Sequence, residues 1–107
     1  MADKSVPQNT GGQYLTAFTG GNVETLIYTG SGRLCKLAIT TAGTASVSVY
    51  DGTNSTTGTL IFTSLTNDAL GTVKDLQMPI TTGIVLKGTT GAPAFAVCYN
   101  KDGALGL

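Results

Sequence analysis

The sequence predicts a single all-β domain, a sandwich, jelly roll or small barrel of seven to eight strands. Three observations lead there. Segments rich in β-formers recur about every ten residues. Gly, Pro, Asn or Asp falls between nearly every pair of them. And over residues 44–50, Ala45, Val47 and Val49 alternate strictly with Thr44, Ser46 and Ser48, the period-2 pattern of a strand buried on one side and wet on the other. The chain has 107 residues, the size of one domain, and no linker divides it.

Taken in order, residues 1–20 read as an extended N-terminal arm. Pro7, Gly11-Gly12 and Gly20-Gly21 interrupt it too often for a helix or long strand, yet Tyr14, Leu15 and Phe18 give it apolar contacts to make. It is expected either to fray with one short strand or to order against a partner. Residues 21–100 form the β body. Residues 23–29 are its first strand, closed by Gly30-Ser31-Gly32. Residues 33–41 and 44–50 read as two strands joined by a short Ala42-Gly43 turn, the clearest strand pair in the chain. Alternation places Cys35, Leu37 and Ile39 on its core face. Asp51-Gly52 reads as an Asx-type turn opening a Thr/Ser-rich loop, followed by a strand at 59–64.

Residues 65–71 offer the one place for a helical turn, too short to stand as a helix by itself. The strand at 72–80 carries Pro79, which cannot donate to a ladder and so marks a sheet edge or an exit. Residues 83–87 and 92–100 complete the set, the last with Phe95, Val97 and Tyr99 on one face and Cys98 on the other. That parity keeps the two cysteines apart and free. Residues 101–107 are a tail in which Leu105 and Leu107 either tuck onto the body or dock on a neighbour.

Composition bounds function more than it specifies it. Charged residues make up 11% of the chain, against about 25% in a typical globular protein, while the 41% hydrophobic fraction argues against disorder. The net charge of zero gives no field to steer a nucleic acid or anionic membrane, and it favours self-association. No apolar run is long enough for a membrane helix, and no signal core marks export, so synthesis in the cytoplasm is expected. Without His, a Ser-His or Cys-His nucleophile is excluded, and two cysteines do not supply a zinc site. The six acids are scattered near turns and strand ends, and the basic residues form no cluster. No catalytic, cofactor-binding or metal-binding residue is assigned, and the protein is expected not to be an enzyme.

The run GSGRLCKLAITTAGTASVSVYDGTNSTTGTLIF, with MPITTGIVLKG and AVCYN after it, resembles small virion proteins of tailed bacteriophages over about residues 20–100. The matching residues are turn and core residues. The resemblance implies a β-sandwich or jelly roll of the capsid decoration or cement type, binding the major capsid protein on the capsid surface of the virion, often as a homotrimer. No catalytic or ligand residues come with it. The contacts would then lie at the chain ends, at Pro7, Tyr14, Leu15, Phe18, Leu105 and Leu107. Two alternatives stand beside it: a tail-fibre or baseplate module binding a host-surface glycan, which would normally display Trp or Tyr to stack on sugar rings, and a small non-viral β-sandwich adaptor.

Overall fold

A computed structural model describes residues 14–64, 66–67 and 69–101. They form eight strands: β1 (Tyr14–Phe18), β2 (Glu24–Thr29), β3 (Gly32–Thr41), β4 (Val47–Asp51), β5 (Thr59–Thr63), β6 (Val73–Ile80), β7 (Gly83–Gly88) and β8 (Ala94–Lys101). The strands make two four-stranded antiparallel sheets, ordered β1-β8-β3-β6 and β2-β7-β4-β5. This is the small β-sandwich that the spacing of strands and turns predicts. No helix occurs among the described residues, so the possible turn of helix at 65–71 does not form in those of its residues that are described.

Inward residues of both sheets meet in one core. Phe18, Leu34, Leu37, Ile39, Phe95, Val97 and Tyr99 come from one sheet, and Val47, Val49, Ile84 and Leu86 from the other. Each set follows the pleat, because alternate side chains project to one face of a strand. Pro79 lies on β6, an edge strand, where its missing N–H interrupts no ladder.

The pairing of residues 33–41 with 44–50 is not found. β3 lies between β8 and β6, and β4 lies between β7 and β5 in the opposite sheet. Among consecutive strands only β4 and β5 are neighbours, and every other connection crosses from one sheet to the other. Both segments bury one face, but against the same core from opposite sides. The crossing is fixed by close backbone approach: Thr44 and Ala45 donate their N–H groups to the Gly91 carbonyl at 2.9 and 3.2 Å. A Cβ on Gly43 would lie 2.4 Å from that oxygen and 2.5 Å from the Pro93 nitrogen.

The one short strand expected within residues 1–20 is found: residues 14–18 pair with β8 from Tyr14↔Tyr99 to Phe18↔Phe95 and make it the eighth strand. A further expectation changes: the register of β3 against β8 shifts between Leu34 and Lys36, which makes Cys35 the extra residue of a β-bulge there, whereas against β6 the extra residue lies on β6, between Asp75 and Met78. Leu34, not Cys35, therefore shares the core face with Leu37 and Ile39. Cys35 is buried, but its Sγ accepts from Asn100 Nδ2 at 3.7 Å. Asn100 neighbours the inward Tyr99 and so belongs to the outer face.

Candidate interaction surface

The residues expected at a contact surface separate into three groups. Pro7, Leu105 and Leu107 lie outside the described residues. Phe18 is 0% exposed and forms part of the core, so it is unavailable to a partner. Leu15, one strand position from Tyr14, points outward and is 68% exposed. Tyr14 is half-buried at one margin of the sandwich, where its ring stacks on Tyr99 with centroids 5.7 Å apart. Tyr99 stacks in turn on Tyr28 of the other sheet at 5.4 Å. The Lys101 ammonium stands 4.4 Å from the Tyr14 ring centre and 5.6 Å from that of Tyr28. This cation–aromatic cluster ties the last residue of β8 to both sheets.

Asp51 departs from its expected role in an Asx-type turn of its own. That turn is made by Asn54, whose Oδ1 accepts from the N–H groups of Thr56 and Thr57 at 2.9 and 2.8 Å. The Asp51 carboxylate instead reaches the turn between β6 and β7. It accepts from the N–H groups of Thr81, Thr82 and Gly83 and from the Thr81 hydroxyl, at 2.9 to 3.3 Å. Desolvation by itself would raise the carboxyl's pKa. The N–H groups of Thr82 and Thr81, the Thr81 hydroxyl and the Gly83 N–H outweigh it and hold the group below its ordinary value of 3.8. The site is a structural anchor between β4 and the next crossing.

The outer face of the second sheet carries a row of apolar residues from edge to edge. Leu26 on β2 pairs with Val85 on β7, Val85 with Tyr50 on β4, and Tyr50 with Leu60 on β5. Leu26 and Leu60, at the ends of the row, are 47% and 54% exposed, whereas Val85 is fully buried although it points away from the core. The loop over residues 52–58 accounts for this. It leaves β4 at Asp51, yet its Ser55 donates through both hydroxyl and N–H to the Glu24 carboxylate. Glu24 lies in the rung of Lys87 and Ser48, three residues back along β4 (about 10 Å) and two strands across (another ~10 Å). The loop must fold back over β7, and Val85 lies beneath its path.

The exposed large apolar side chains follow a pattern that the sequence does not display. Leu15, Leu26, Leu60 and Val73 lie one on each of the four edge strands, β1, β2, β5 and β6. Val23 and Leu70 are exposed in the segments leading into β2 and β6. Among the described residues no three His, Cys, Asp or Glu side chains gather as metal ligands would. No protein-family model, curated protein or solved structure matches this chain. The class established is that of a small two-sheet antiparallel β-sandwich with apolar margins.

Proposed function

We propose that the protein is a structural component of a tailed-bacteriophage virion, which decorates and stabilises the capsid by binding the shell of major capsid protein. In this reading it is made in the host cytoplasm, acts as a homotrimer on the capsid surface, and performs no catalysis. The observation that carries it is the apolar side chain exposed on each of the four edge strands. Free-standing sandwiches usually blunt their edges with charge or proline. Apolar groups there favour contact with neighbours packed at the margins. The zero net charge supports the same reading, since it leaves little repulsion between closely packed copies.

The strand orders β1-β8-β3-β6 and β2-β7-β4-β5 support the finer description of the sandwich as a jelly roll, an eight-stranded layout frequent in viral capsid domains. Pro7, Leu105 and Leu107, toward the ends of the chain, would extend the contact beyond the body. A stable interface buries about 1,600 Å² in total, much for a domain of this size to supply from one face. The test is to size the purified protein and then sediment it with capsids stripped of accessory proteins. Saturable co-sedimentation is expected. A protein that stays in the supernatant at every shell concentration would overturn the proposal, and a defined hit on a glycan array would favour the receptor-binding alternative.

A further inference from the structure

We propose that Cys35 and Cys98 form a two-thiol site on the outer face of the β1-β8-β3-β6 sheet, which closes reversibly to a disulfide by exchange with a low-molecular-weight disulfide such as oxidised glutathione. Strict alternation would put the two side chains on opposite faces. The bulge removes that separation. The ladder between β3 and β8 runs Leu34↔Tyr99 and then Lys36↔Cys98, with Cys35 as the extra residue between them. Two residues of a bulge oppose one on the partner strand, so Cys35 and Lys36 together face Cys98.

The face is fixed independently of the register. Asn100 and Cys98 are two positions apart on β8 and project to the same side, opposite the inward Val97 and Tyr99. Cys35 Sγ lies 3.7 Å from Asn100 Nδ2, which brings it to that side as well. Residues opposed across an antiparallel pair have Cα atoms about 4.5–5.5 Å apart, inside the range of about 4.4–6.8 Å that a disulfide spans. Both thiols are free, so the bond is there to be made.

Their environments assign the order of events. Cys98 is half-buried and within reach of a solute, whereas Cys35 is buried and its thiol is pushed above its ordinary value of 9.0, chiefly by desolvation, with Arg33 opposing. Cys98 thiolate attacks one sulfur of oxidised glutathione, and the first glutathione leaves as thiolate. Cys35, losing its proton to solvent as it reacts, attacks the Cys98 sulfur of the mixed disulfide and expels the second glutathione. Two electrons pass from the cysteine pair to the glutathione disulfide, and the two protons end on two molecules of reduced glutathione. The new bond ties the two inner strands of the sheet together beside the exposed Leu15, which pairs with Cys98 from β1.

The test uses the full chain, folded, with oxidised glutathione at about pH 8, where thiol exchange proceeds. Intact-mass analysis is expected to show the loss of two hydrogens, restored by dithiothreitol, and a non-reducing digest should contain a linked Cys35–Cys98 peptide. Cys35→Ser should stop at one glutathione on Cys98, and Cys98→Ser should stay unmodified. A wild-type protein that keeps glutathione on Cys98, remains unmodified, or links only after unfolding would overturn the proposal. So would links between chains in place of the internal one. The wild-type readout decides the matter even if a variant folds poorly.

Discussion

The Thr82 N–H donates to Asp51 Oδ1 at 2.9 Å, and with its neighbours it makes one carboxylate the clasp between the end of β4 and the crossing from β6 to β7. Strands from both sheets depend on it. Asp51→Ala should lower unfolding stability by about 1–2 kcal/mol, the range for charge-assisted hydrogen bonds after allowance for solvent screening. Urea denaturation of the two proteins measures it.

The same clasp gives a pH dependence. Because folding lowers the Asp51 pKa below 3.8, the unfolded chain takes up a proton first as the medium is acidified. The contribution is complete above the unfolded value and disappears as pH falls through the folded one. Asp51→Asn should therefore flatten the acid limb of the stability curve below about pH 4 relative to wild type. Parallel acid limbs in the two proteins would refute the assignment.

Gly43 crosses between the sheets against the Gly91 carbonyl, with no room for a methyl group. Gly43→Ala should cost about 1–3 kcal/mol, because the atoms it would meet on Gly91, Ala92 and Pro93 are backbone atoms that cannot rotate aside. Thermal unfolding reads the loss as a lower Tm.

Lys101 is held over two tyrosine rings from different sheets. Lys101→Met keeps most of the aliphatic stem and removes the charge, so it isolates the cation–aromatic attraction. A loss of about 0.5–1 kcal/mol is expected at this partly exposed site, measured by chemical denaturation.

The loop over residues 52–58 is tethered across the second sheet by the contact of Ser55 with Glu24. Glu24→Ala should leave global stability within about 0.5 kcal/mol, since the tether is exposed. It should nevertheless speed proteolytic cleavage within the loop and raise amide exchange at Val85, which the loop covers. Unchanged cleavage would mean that the glycines and the Asn54 turn hold the loop without help.

Much of this architecture was legible in the residues. The strict alternation of Phe95, Val97 and Tyr99 against Ala94, Ala96 and Cys98 identified both the strand and its buried face, and Pro79 marked either an edge or a strand exit, of which the structure shows the edge. The error with Cys35 came from the same rule that succeeded elsewhere. Alternation counts residues, and a bulge adds one without leaving a mark in composition. The candidate surface was less legible. Leu15 is outward and Phe18 inward, though both are apolar residues of one short strand. Leu26 and Leu60 carry no local sign of exposure, because an apolar residue within a β segment reads as core until the sheet edges are known.

The sequence by itself determined that the chain is all-β, where most strands begin and end, and which side of most strands is apolar, because pleat, turn chemistry and burial are local and leave a local pattern. It also removed His-based chemistry outright. Only the tertiary structure decided which strands are neighbours. Residues 33–41 and 44–50 look like a pair because they are adjacent and similar, but a sandwich core is satisfied equally by two strands facing each other from opposite sheets. The choice rests on contacts between distant residues, such as Gly43 against Gly91 and Asp51 against Thr82. Those contacts also set the four edges, and with them the apolar margins on which the proposed function rests.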